Sequence, residues 1–153
     1  MTRGERQLTD PDEGLLRRVQ KTPHHRYDPI SDQITGRLRA PAAAFEPRFP
    51  DLKKPERKVD EALSVNVQSL LTAANLPLTE GTNIRKQYVA RITVADCSAH
   101  GLEVWHSPTR PPEHPDNPYH GLIWDLVEMH NLDQLKYERT IDALARASTV
   151  VTA

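Results

Sequence analysis

Two stretches of this chain alternate apolar and polar residues with the period of two that a half-buried β-strand requires. In "ALSVNV", Leu63, Val65 and Val67 fall on one face, and Ser64 and Asn66 on the other. "QYVARITVA" repeats the pattern, setting Tyr88, Ala90, Ile92 and Val94 against Val89, Arg91 and Thr93. "LEVWH" and "HGLIWDLVEM" predict two further strands, joined by the proline-rich turn "SPTRPPEHPDNPYH". Paired as an antiparallel hairpin, they set His106 against His120, Val104 against Leu122 and Leu102 against Trp124. Residues two apart share a face, so the six form a buried apolar ladder with two histidines at its mouth.

Helical spacing fills the intervals. "QSLLTAAN" predicts a short helix after the first strand, with Ser69 as a possible cap and Pro77 closing it. "DCSAHG" reads as one turn capped by Asp96 and stopped by Gly101 in a left-handed conformation. Leu135, Ile141, Leu144 and Ala145 recur near helical spacing, predicting a C-terminal helix over 129–153 with Asn131 or Asp133 as its cap. "MTRGERQLTDPDEG" has no periodicity and predicts a flexible arm over 1–14. In "LLRRVQ", Leu15, Leu16 and Val19 open a strand or a short helix, and Ser31 to Gly36 carry turn chemistry. The proline-broken segment 46–60 leans toward disorder. The expected fold is α+β: one domain over 15–128 with a small, mostly antiparallel sheet of about four strands, a short central helix and the C-terminal helix.

Composition narrows the function classes. A chain of 153 residues fits one domain, and 37% hydrophobic residues with 5% aromatics implies long loops outside the core. The net charge of -1 gives no overall field for nucleic acid or an anionic membrane. No apolar run approaches the roughly 20 residues that span a bilayer, and "MTRGERQLTD" lacks a signal-peptide core, so a cytoplasmic location is expected. The one cysteine, Cys97, excludes an internal disulfide and reads as a small core residue.

The candidate chemistry is scattered. Five of the seven histidines lie between His100 and His130. His106, His114 and His120 could approach one another if the proline loop folded back, but their spacing matches no metal-ligand signature, and neither a metal nor another cofactor is expected. His24 and His25 stand beside Asp28, a carboxylate able to orient an imidazole for acid–base work, although a turn before Pro29 explains them as well. Lys53, Lys54, Arg57 and Lys58 are the nucleic-acid candidates, weakened by a proline, an acid and the lack of nearby aromatics. The prolines stiffen their loop and favour docking, so Pro111, Pro112, His114, Asn117 and Tyr119, with the helix stripe Leu135, Ile141 and Leu144, are the candidate partner contacts.

Taken together, "LLRRV", "AAAF", "LSVNVQSLLTA", "ARITVADCSAHGLEVWHSP" and "HPDNPYHGLI" resemble a family of small bacterial proteins with no established activity. The resemblance spans about Leu15 to Leu126 and implies that Arg17 or Arg18, Phe45, Ser64 and His120 belong to one constellation. The family pattern carries a serine in the small-residue segment where this chain has only alanines. An early arginine, a serine on a strand and a later polar residue are also weakly similar to small ADP-ribosyltransferase-like domains; Glu103, Glu113 and Glu128 are the late acids, none of them assigned as catalytic.

The leading expectation is a non-catalytic accessory or interaction protein working with a larger protein partner in the bacterial cytosol. The first alternative is a small nucleotide-binding or histidine/metal-dependent enzyme using Arg17, Arg18, Ser64, His106 and His120. The second is a nucleic-acid-binding accessory subunit. Convergence of the five enzyme candidates in one cleft favours catalysis, and their dispersal favours the interaction protein.

Overall fold

A computed structural model of the chain describes residues 2–151. Its strands are β1 (Arg6–Gln7), β2 (Gly14–Gln20), β3 (Ile30–Ser31), β4 (Leu38–Arg39), β5 (Leu63–Val67), β6 (Gln87–Thr93), β7 (Val104–His106), β8 (His120–Ile123) and β9 (Thr149–Val151). The helices are α1 (Gln68–Ala73), α2 (Val94–Ser98), α3 (Leu126–Leu132) and α4 (Gln134–Ala147), with a 3-10 turn at Ala42–Phe45. Seven strands make one antiparallel sheet in the order β1-β7-β8-β5-β2-β6-β9, and β3 and β4 form a separate hairpin. The class is α+β, with a larger sheet than the four strands expected.

"LLRRVQ" resolves as the strand β2, laddered along its whole length from Gly14 opposite Thr93 to Gln20 opposite Gln87. The period-two pattern decides what each strand buries. Leu15 and Val19, Leu63, Val65 and Val67, and Tyr88, Ala90 and Ile92 all turn toward the helices. There they meet Phe45, Tyr137, Ile141, Leu144 and Ala145 in one continuous core. Cys97 is buried in it, and desolvation, helped by the nearby Asp96 charge, pushes its thiol up to about 12. Asp133 caps α4 by accepting a hydrogen bond from Lys136 N at 3.1 Å. The buried stripe of α4 counts from Tyr137 through Thr140, Ile141 and Leu144; Leu135 lies six residues before Ile141, off that stripe, and is exposed.

Several expectations change. The N-terminal stretch is docked: β1 pairs with β7, Leu8 enters the core, and Leu8 N donates to Val104 O at 2.8 Å. The expected C-terminal helix is two helices and a strand, since the chain breaks at Asp133 and Thr149–Val151 joins β6; residues 152–153 lie outside the described residues, as does Met1. β8 stops at Ile123, and Asp125 turns the chain into α3 at φ 83°. The N-cap of α1 is Val67 rather than Ser69, whose N–H and hydroxyl both donate to the Glu13 carboxylate. Thr93 caps α2, with Asp96 as its reciprocal capping-box partner three residues on, and Gly101 takes the left-handed position at φ 76°.

The hairpin register is the correction with the widest effect. Val104 pairs with Ile123, Trp105 with Leu122 and His106 with Gly121, one residue from the expected pairing. A one-residue slip reverses every side chain of one strand relative to its partner. Leu102 and Val104 keep the core side and Ile123 joins them there, while His120, Leu122 and Trp124 alternate to the opposite side of β8.

Candidate functional site

The side of the sheet away from the helices is only partly covered. Leu16, Leu71 of α1 and Val89 form a small second cluster there, joined by Leu76, Leu78 and Tyr119 from flanking loops and Val151 from β9. Beyond it, β2, β5 and β8 present the polar halves of their alternating patterns: Arg18 and Ser64 are exposed, and His120 and Leu122 are half-buried. Asn66 stands opposite His120 across β5 and β8, and Ser64 stands opposite Leu122, which pairs in turn with Trp105. A groove of about 780 Å³ runs over Ser64, His120, Leu122 and Trp124, walled by Arg3–Glu5 on one side and Ser107–Arg110 on the other. Ser64 also borders a smaller recess of about 290 Å³ lined by Arg17, Arg18 and His120, and a cavity of about 400 Å³ lined by Arg17 and Arg18.

The two tryptophans are held in place. Trp124 Nε1 donates to Arg3 O at 3.0 Å, and the Arg3 guanidinium lies 5.3 Å from its ring centroid. Arg3 in turn grips Asp125 through two hydrogen bonds of 2.7 and 2.8 Å and reaches Glu103, which accepts from Trp105 Nε1 at 3.0 Å. The Asp125 hydrogen bonds raise the pKa of Arg3 against the opposing effect of burial.

Both histidines at the hairpin end act as clamps on the proline loop. His106 Nε2 donates to Pro118 O at 2.8 Å, and His120 Nδ1 donates to Ser107 O at 2.7 Å. Carbonyls only accept, so these bonds fix the proton on Nε2 of His106 and on Nδ1 of His120. Burial lowers the pKa of His120; the Ser107 carbonyl opposes this, and the neighbouring His114, Arg18 and His106 reinforce it. His114 is exposed on the loop. Among the described residues, no group of three His, Cys, Asp or Glu side chains could hold a metal ion, so His106, His114 and His120 are not gathered as ligands.

Arg17, Arg18, Ser64 and His120 line one recess, while His106 stays outside it. The Ser64 hydroxyl hydrogen-bonds to no base among the described residues, which leaves it without the activation a nucleophile needs. Arg18 donates to Gly81 O at 2.8 Å, and Phe45 is fully buried in the core. His25 and Asp28 do pair, at 2.7 Å, but His25 is largely exposed and neither lines the groove or the cavity. Glu103 is tied to Arg3 and Trp105, Glu113 stands on the groove rim, and Glu128 is exposed. Lys53, Lys54 and Arg57 are exposed and distant from any aromatic platform, Phe49 being stacked on His130 at 4.0 Å; Lys58 lines the groove.

Among the expected partner contacts, Pro111, Pro112 and His114 are exposed. Asn117 is spent inside the protein, donating to Asn66 Oδ1 at 3.0 Å, and Tyr119 packs on the second cluster. Ile141 and Leu144 are core residues and offer nothing to a partner. Sequence reasoning missed Leu122 and Trp124 as groove residues because the slipped register assigned both to the core. It also missed Arg48 and Asp60, which bracket the 46–60 loop with two side-chain hydrogen bonds of 2.9 and 3.2 Å. No family model matches the chain, and neither the curated proteins nor the solved structures contain a match to it.

Proposed function

We propose that this chain is a non-catalytic interaction protein that works with one larger protein partner in the bacterial cytosol, docking it on the open side of the sheet. The observation that carries the reading is the groove over Leu122 and Trp124, with Trp105 beside Leu122 on the same side. Half-buried tryptophans held rigid by their own hydrogen bonds are the kind of residue that dominates binding energy when a partner seals them from water. The groove's charges balance, Arg3, Arg48, Lys58 and Arg110 against Glu5, Asp60, Glu61 and Glu113, which suits a mixed protein surface rather than a polyanion. The partner chemistry that fits is an apolar side-chain cluster rimmed by both signs of charge. Against an enzyme reading stands the Ser64 hydroxyl, which hydrogen-bonds to no base among the described residues; in its favour is the recess that Arg17, Arg18, Ser64 and His120 share.

Leu122→Asp tests it. Captured from native extract and examined by native mass spectrometry, the wild type is expected as a one-to-one complex with a larger protein. Leu122→Asp is expected to lose that protein, whereas Leu52→Asp, at a fully exposed side chain outside the groove lining, keeps it. Equal capture by both variants, or a complex of identical copies, overturns the reading.

A further inference from the structure

Arg17 sits on the core side of β2, where a charged group has little water to solvate it. Its Nε donates to Ala44 O at 2.8 Å and its Nη1 to Ser64 O at 2.9 Å, tying the small-residue turn to β5. Neither acceptor carries a charge, and no carboxylate lies in salt-bridge contact with Arg17 among the described residues. Asp60 is the nearby acid, but it already accepts from Arg48 N, Nε and Nη2. Glu46 is likewise paired, with Arg26 at 2.9 Å. A partly buried guanidinium with no carboxylate in contact is costly, and arginine escapes by deprotonation less readily than any other side chain. Burial draws its pKa down to about 10, which still leaves it charged at neutral pH.

Its Nη2 has no hydrogen-bond partner among the described residues, yet Arg17 is only half-buried, because it forms a wall of the 400 Å³ cavity. Thr22 lines the same cavity, and its Oγ1 is buried without a partner. Three arginines line the space, Arg17, Arg18 and Arg48, against two carboxylates, Glu46 and Asp60, both committed to ion pairs. Tyr27, Ala43 and Ala44 supply an apolar wall. The volume falls in the range of small-molecule pockets, about 300–1,000 Å³.

We infer that this cavity binds a small oxyanion, a carboxylate or phosphate group on a compact body, received by the uncommitted Nη2 of Arg17. The planar guanidinium fork, with Nη2 uncommitted, matches the two oxygens of such a group and supplies the charge-assisted bond that neither carbonyl can. The site is separable from partner docking: Arg17, Thr22, Tyr27, Ala43 and Ala44 line the cavity and not the tryptophan groove, while Ser64, Arg48 and Asp60 line both.

The experiment follows the arginine Nε–H signals of the ¹⁵N-labelled protein by NMR during separate titrations with sodium phosphate and sodium propionate. Ionic strength is held with chloride, and the Arg17 signal is identified by its loss in Arg17→Lys. The expected result is a saturable shift of the Arg17 signal with one of the two anions, while those of exposed arginines such as Arg85 stay fixed. Ala43→Leu, which fills the cavity and leaves Arg17 untouched, is expected to weaken that response at least tenfold. Saturation with phosphate alone assigns a phosphate-bearing ligand, and with propionate alone a carboxylate. No saturable shift with either anion, or a shift unchanged in Ala43→Leu, overturns the inference.

Discussion

The two sides of this sheet are made from the same strands and have opposite characters. On the helical side, alternate residues of β2, β5, β6, β7 and β8 join Phe45, Tyr137, Ile141 and Leu144 in one continuous apolar core. On the other, only Leu16, Leu71 and Val89 are fully buried, and the remaining positions are polar, aromatic or half-open. The difference teaches where selection for stability ends. A residue facing the helices holds the fold, whereas its sequence neighbour facing the groove is free to serve recognition, so stability and binding separate by a single step along each strand.

The sharpest challenge to that separation is a matched pair of truncations. Leu144→Ala is expected to lower the unfolding free energy by about 2–5 kcal/mol, the range for emptying a packed site, whereas Leu122→Ala lowers it by less than about 1 kcal/mol. Urea unfolding of both variants decides; equal losses would mean that the open side is a second core.

A smaller effect is expected from pH, one limb from each region. His120, on the open side, has its pKa depressed by burial below 6.5, so the unfolded chain takes up the proton more readily than the folded one. Its contribution to stability is complete above about pH 6.5 and is lost as pH falls through that value. His120→Gln should flatten that part of a stability–pH curve. For Asp60, burial pushes the pKa upward but the Arg48 hydrogen bonds outweigh it, and the net shift is downward from 3.8. The Asp60–Arg48 contribution is therefore present above about pH 4 and disappears on further acidification, a limb that Asp60→Asn should remove. Urea midpoints measured at pH 7.5, 5.5 and 3.5 separate the two.

The smallest expected change lies inside the helical region. Tyr137 stacks edge-on with Phe49 and His130, but its hydroxyl is buried with no partner. Tyr137→Phe removes an unpaired polar atom and keeps the ring, so thermal unfolding is expected to be unchanged or improved by up to about 1 kcal/mol. A clear loss would point to a bridging water on that oxygen.

The legibility of the sequence follows the same divide. Period-two spacing located β5 and β6 and their core faces, because burial on one side imposes the pattern. β1 was illegible: Arg6 and Gln7 are polar edge residues, and only Leu8 behind them is apolar. Thr149–Val151 was absorbed into the helix although its β-branched run favours a strand. The hairpin register was misplaced because the loop closes unevenly, with Thr109 bridging Asn117 and Ser107 N donating to His120 O at 2.9 Å. Of the candidate site, Arg17, Arg18, Ser64 and His120 were visible as residues. Their gathering at one recess, with Arg17 also walling a cavity and His120 clamping the loop, was not, because it depends on how neighbouring strands are ordered in the sheet.

β1 and β9 are among the shortest strands of the sheet, and they occupy its two margins. Between them the open ladders of β7 and β6 are never offered to another molecule. Removing residues 2–7 would strip one margin and turn β7 into a template on which copies of the protein could join strand to strand, giving linear polymers from a chain that keeps Leu8 and the rest of its core. The few residues at each margin thus set how far the sheet extends, and keep it from growing past the molecule itself.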